Sequence, residues 1–165
     1  MVQQEEHMEW FDVAISIEVE GEKFYRSLSE KAETDGVKNI FSMLADDEVK
    51  HKKRFEAMKR QDFTADPSDS KEKSKTIFSN TKKRHMAAES RHLKLYQEAL
   101  DIEQKSIDFY NGQLGTQTDP QVRTALKQIL AEEKFHYQMI DTILQMVERP
   151  ERWVEFAEFG VREDY

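Results

Sequence analysis

Shifted by 85 residues, this chain falls onto itself. Ala14 lands on Ala99, Ile17 on Ile102, Glu18 on Glu103, Phe24 on Phe109 and Tyr25 on Tyr110. Farther along, Val37 meets Val122, Glu48 meets Glu133 and His51 meets His136. The matches cluster at helical spacing and there are two copies, so the repeat reads as a duplicated helix pair and not a solenoid. Each copy carries a Glu-x-x-His pair whose glutamate stands 30 residues after a lone glutamate, Glu18 or Glu103.

Within each half the apolar period divides the sequence into two helices. The first runs from about Glu6 to Glu33, with Phe11, Ala14, Ile17, Gly21, Phe24 and Leu28 recurring at three and four. Thr34-Asp35-Gly36 supplies a break and a cap. A second helix follows to about Arg60, with Ile40, Phe41, Leu44 and Phe55 inward. The third spans roughly Ser90 to Gln113. The chain turns at Gly115–Pro120, where Asp119 is an N-cap and Pro120 the first helical residue. The fourth helix continues to about Glu148. Only 5 glycines and 3 prolines occur, 35% of residues are charged, and no alternating run reads as a strand. The sequence therefore predicts an all-α four-helix bundle of two hairpins, residues 1–149.

A crossover at about 61–88 joins the hairpins. It holds Pro67 and a Ser/Asp/Lys-rich stretch, then extra helix near 76–88. A long middle connection is what a bundle needs when its second and third helices run parallel. Residues 150–165 form a tail in which Trp153, Phe156 and Phe159 recur every three residues, predicting a short terminal helix.

The turns decide where the acidic residues meet. Residue 33 is midway between Glu18 and Glu48, and residue 118 midway between Glu103 and Glu133; both midpoints fall at the turn signals. Each glutamate thus lies about 22 Å from its turn, and an antiparallel pair brings the two level. His51 and His136 follow their glutamates by three residues and share their faces. Four carboxylates and two imidazoles at one level make the ligand set known from di-iron and di-manganese carboxylate bundles. Two divalent ions would balance the four negative charges. Oxygen-rich donors with a minority of histidine suit iron or manganese, whereas a closed zinc site does not need four carboxylates. Tyr25 and Tyr110, two turns beyond the lone glutamates, face the same interior. Asp47 and Glu132 could each accept a hydrogen bond from the far nitrogen of the opposite histidine. A third pair, Glu89/His92, lies about 21 Å from Glu103 along a continuous helix and reads as an accident. The plain alternative is a metal-free bundle whose Glu and His residues face solvent.

Other classes are excluded by what the sequence lacks. Without cysteine there is no disulfide, thiolate zinc site or rubredoxin-type iron centre. This fits a reducing, cytoplasmic setting. No apolar run approaches the roughly 20 residues needed to cross a bilayer. A net charge of −8 argues against nucleic acid. The basic runs Lys50–Arg54 and Lys82–Arg84 are flanked by acids and read as solvated helix faces. No haem or flavin is expected.

The residues Ala14-x-x-x-Glu18-x-x-Gly21-x-x-Phe24-Tyr25, Glu48-x-x-His51, Ala99-x-x-x-Glu103, Phe109-Tyr110 and Glu133-x-x-His136 resemble the ferritin-like superfamily. They look most like its stand-alone rubrerythrin-like members, and the tail Arg152-Trp153-Val154-Glu155 is similar to tails in that group. The resemblance implies a non-haem di-iron centre reacting with hydrogen peroxide or dioxygen, inside a homodimer or larger homo-oligomer. It departs from full-length rubrerythrins in two respects. The cysteine-rich rubredoxin-like domain is missing, so electrons must come from an external donor protein. Ser106 stands where those proteins carry a further glutamate. Glu18 and Glu103 would then be terminal or mobile carboxylates, and Glu48 and Glu133 bridges. Iron sequestration or sensing without turnover, and a metal-free interaction module, are the alternatives; hairpin exchange through the crossover could build the dimer.

Overall fold

The computed structural model describes residues 2–64, 70–80 and 87–148. Among these residues there are five α-helices and no strand: α1 (Val2–Lys31), α2 (Asp35–Lys59), α3 (Ser70–Asn80), α4 (Leu93–Thr116) and α5 (Pro120–Glu148). A 3₁₀ turn, Ala87–His92, precedes α4. The fold is all-α, with hairpins α1–α2 and α4–α5 forming the bundle.

Caps set the hairpin turns. Thr34 is extended, and its hydroxyl accepts from the Val37 N–H at 3.3 Å, satisfying one open donor of α2. Asp119 does the same for α5, accepting from Gln121 N–H at 2.8 Å and Val122 N–H at 3.4 Å. Across that turn the Arg123 guanidinium donates to the carbonyls of Leu114 at 2.6 Å and Gln117 at 2.9 Å. A cation there complements the negative end of α4.

Ring contacts report direction. Phe41 packs on Tyr96 and, fourteen residues later on both helices, Phe55 packs on Tyr110, with centroids 5.1 and 5.2 Å apart. Helices α2 and α4 therefore run parallel, the arrangement a long crossover permits. The core divides into two apolar clusters. One gathers Tyr25, Leu28, Ile40, Phe41, Leu44, Tyr96, Ile140 and Ile143; the other Phe11, Ala14, Phe55, Tyr110, Leu126 and Ile129. Glu18, Glu48, His51, Glu103, Glu133 and His136 are buried in the same bundle.

The crossover differs from its sequence reading. Its helix begins at Ser70 instead of near Thr76. Ser70 and Ser74 are buried, and Ile77 packs against the first cluster. Those positions form an i, i+4, i+7 stripe, but two serines give no hydropathy signal. Glu89 also departs from expectation: the 3₁₀ turn interrupts the helix that was to carry it. Its buried carboxylate accepts from the backbone N–H groups of Glu33 (3.0 Å) and Thr34 (2.7 Å) and from the Tyr96 hydroxyl (2.5 Å). It ties the end of the crossover to the first hairpin turn. The tail 150–165 and the run Lys82–Arg84 lie outside the described residues.

Glu89→Ala removes the acceptor for three buried or half-buried donors and is expected to destabilise the chain by about 2–3 kcal/mol. Glu89→Gln retains one acceptor oxygen and should cost less. Urea denaturation of both variants measures the difference, and an Ala variant as stable as the parent contradicts the clamp.

Candidate metal centre

Each helix of the bundle contributes carboxylate to one buried cluster. Helix α1 brings Glu18, α2 brings Glu48 and His51, α4 brings Glu103, and α5 brings Glu133 and His136. One ligand atom from each of Glu18, Glu48, His51 and Glu133 lies within 4.8 Å of the others. A second set, Glu48, Glu103, Glu133 and His136, meets the same limit. Glu48 and Glu133 belong to both. The rings of His51 and His136 stack with centroids 5.5 Å apart.

Six donor atoms, one from each residue, are buried and without a hydrogen bond: Glu18 Oε2, Glu48 Oε1, His51 Nδ1, Glu103 Oε2, Glu133 Oε1 and His136 Nδ1. Some approach closely. His51 Nδ1 is 2.7 Å from Glu133 Oε1, and His136 Nδ1 is 3.2 Å from Glu48 Oε1, yet neither contact has hydrogen-bonding angles. Buried polar atoms are normally satisfied, so six orphans in one cluster are donors of the kind a cation would satisfy.

The outer nitrogens of the histidines do have partners. His51 Nε2 donates to Glu132 at 2.7 Å, and His136 Nε2 donates to Asp47 at 3.1 Å. In the neutral ring each bond places the proton on the outer nitrogen and leaves Nδ1 as a lone-pair donor. The tyrosine hydroxyls cross between hairpins: Tyr25 donates to Glu103, and Tyr110 donates to Glu18. Gly21 of α1 lies against Glu48: a Cβ there would stand 3.4 Å from Cγ, Cδ and Oε2 of that side chain, an ordinary contact distance. The basic run Lys50–Arg54 is not one solvated face, because Arg54 is buried and donates to Glu132. It shares the i, i+3 relation with His51 that His51 has with Glu48, and that spacing was the available signal.

Charge distribution follows from burial. Desolvation pushes Glu48 well above the usual carboxylate range, reinforced by the charges of Glu133 and Glu18. Glu103 is raised by burial and by Glu133. Burial also opposes ionisation of Glu133, but the adjoining histidines outweigh it and hold this carboxyl below its ordinary value. For His51 and His136 burial disfavours the cation, and the surrounding carboxylates reverse the balance and raise both. Burial raises the tyrosine hydroxyls, helped by Glu103 at Tyr25 and Glu18 at Tyr110. A cluster without metal thus retains protons on groups that metal needs bare.

An all-α bundle with a buried carboxylate/histidine cluster fitted to a di-iron site defines the class. The Rubrerythrin family model matches residues 9–144, and the chain belongs to that family. No curated protein and no solved structure matches the chain. Among the described residues no helix is long and apolar enough to cross a membrane.

Metal must displace the protons held at raised Glu48, Glu103, His51 and His136, so its apparent affinity is expected to increase with pH. Each displaced proton contributes about tenfold per pH unit until the pH exceeds the raised value of its group. Anaerobic Co(II) titration between about pH 6 and pH 8 reads the slope. A flat profile would mean that the metal-free cluster carries no such protons.

Proposed function

We propose that this protein is a non-haem di-iron oxidoreductase that reduces hydrogen peroxide or dioxygen at the bundle-core cluster. The observation that carries the reading is the set of six buried, unpartnered donor atoms, divided into two groups that share Glu48 and Glu133. His51 Nδ1 and His136 Nδ1 would give one nitrogen to each metal. Glu48 and Glu133 would serve both metals, and Glu18 and Glu103 one each. Four carboxylates and two imidazoles suit iron, and manganese fits the same donors.

When bound, a ferrous pair supplies two electrons, which with two protons convert peroxide to two waters. The side chains do the rest. Asp47 and Glu132 hold the imidazoles in one tautomer, so the nitrogens need no reorientation when metal arrives. Tyr25 and Tyr110 keep their O–H protons against Glu103 and Glu18, fixing those carboxylates and placing two protons beside the centre. The apolar clusters exclude bulk water from the buried donors. These 165 residues contain no cysteine, so the reading includes an external electron-donor protein. Its remaining parts are a homodimer or larger homo-oligomer and a cytoplasmic setting.

Protein produced with iron and manganese should carry about two ions per chain. The Glu48→Ala/Glu133→Ala variant should carry fewer than about one, since it removes both shared carboxylates. Anomalous scattering at the iron and manganese edges identifies the ions. Rapid mixing of the Fe(II) form with peroxide should oxidise the ferrous pair within seconds. Two tightly held ferrous ions unchanged over minutes would reassign the site to sequestration, and absence of metal from the parent would refute the centre.

A further inference from the structure

The two halves of the centre match in their inner donors and differ just outside them. On the His51 side, Glu132 is clamped by Arg54. Arg54 Nη1 donates to both Glu132 oxygens, at 3.2 and 3.1 Å, and Nη2 donates to Gln128 Oε1 at 3.0 Å. Gln128 and Glu132 stand one turn apart on α5, so the guanidinium grips two acceptors on one face of that helix. The Arg54 side chain is itself buried, only 4% exposed, and reaches outward to these acceptors.

The 85-residue shift places Met139 opposite Arg54, Met43 opposite Gln128 and Asp47 opposite Glu132. The His136 side thus uses an aspartate and two methionines for the same three positions. Asp47 is one methylene shorter and its side chain is 1% exposed, and it meets the ammonium of Lys50 at 3.2 Å. The Glu132 side chain is 17% exposed and has one more rotatable bond, so it has both room and freedom to turn toward water. Asp47 is short, buried and paired with the partly exposed Lys50, whereas the longer, partly exposed Glu132 is held by the buried Arg54.

We propose that Arg54 is a positioning residue dedicated to one half of the dinuclear site: it locks Glu132, and through Glu132 it fixes the His51 ring with Nδ1 turned to the cluster. The proposal rests on the reading of the cluster as a two-metal centre. It assigns the His51/Glu18 metal position a dependence on Arg54 that the His136/Glu103 position lacks.

Anaerobic Co(II) titration of the full chain, followed by d–d absorption, resolves the two binding events. In Arg54→Met the affinity for one ion should fall about 10- to 100-fold, the usual effect of removing a partner behind a ligand, while the other is unchanged. Adding Arg54→Met to His51→Ala should cost little more than His51→Ala alone, because Arg54 acts on that position through the His51 ring. The triple variant Arg54→Met/Gln128→Met/Glu132→Asp transplants the solution of the other half and should recover most of the lost affinity. In metal-free protein, at a pH high enough that both imidazoles are neutral, nitrogen NMR should show the His51 ring leaving its single tautomer in Arg54→Met while His136 keeps its own. If Arg54→Met does not fold, Arg54→Lys retains the charge without the fork and should weaken the same ion to a smaller degree. Equal weakening of both ions, or no weakening with an unchanged His51 tautomer, overturns the proposal and leaves Arg54 as a simple tie between α2 and α5. A parent chain that binds no Co(II) or Fe(II) refutes the two-metal reading instead, and the tautomer measurement still decides whether Arg54 governs His51.

Discussion

Four glutamates and two histidines inside a helical bundle are a charge problem before they are a functional site. Ionised carboxylates removed from water are strongly disfavoured unless protons or cations compensate them. Here compensation without metal is partial: Glu48 and Glu103 are driven toward the neutral acid, and Glu133 is held ionised by the neighbouring imidazoles. Even so, one donor atom on each of the six residues finds no hydrogen bond. The bundle must therefore be held by something other than this cluster. Two apolar clusters do so, joining Leu28, Phe41 and Ile143 in one and Phe11, Phe55 and Leu126 in the other.

This division explains why ligand placement follows from helix register. Each hairpin turn is fixed by a side-chain cap, Thr34 or Asp119, and residues equally distant from a turn come level. Because α2 and α4 run parallel, the second hairpin meets the first with equivalent elements facing across the bundle. The tyrosines show the consequence. Each lies on the helix of one lone glutamate and bonds to the other, Tyr25 to Glu103 and Tyr110 to Glu18. The histidines do likewise, His51 bonding to Glu132 of α5 and His136 to Asp47 of α2. The two hairpins are thus cross-tied around the polar interior by side chains that also orient the donors.

Register and periodicity made the helices and the convergence of the six inner residues legible, because both depend on counting along regular geometry. Partner choice was less so. Spacing put Tyr25 and Tyr110 on the interior face without saying that each would reach the opposite hairpin. Arg54 was concealed in a run of five basic or imidazole residues. Such a run covers more than a full turn, so its members cannot all face water: Lys53 is exposed while His51 and Arg54 are buried. Glu89 was concealed for a different reason. Its partners are backbone N–H groups at the far hairpin turn, and no periodic pattern records where a crossover returns to the bundle. The start of α3 was missed because serine can pack closely without being apolar.

Duplication accounts for the inner symmetry, but the surroundings of the two histidines show that equivalent chemistry does not require equivalent residues. In each half the outer N–H of the histidine is directed at a carboxylate acceptor. Burial, a short side chain and the Lys50 ammonium fix the acceptor at Asp47; a guanidinium and an amide hold the longer carboxylate at Glu132. The second arrangement uses a buried guanidinium where the first has a partly exposed ammonium, and a charge removed from water is felt more strongly by its neighbours. The inner donors alone would make the two positions twins. Their outer partners make them different in both field and rigidity, and that difference is encoded at positions 54, 128 and 132, outside the repeated Glu-x-x-His motifs.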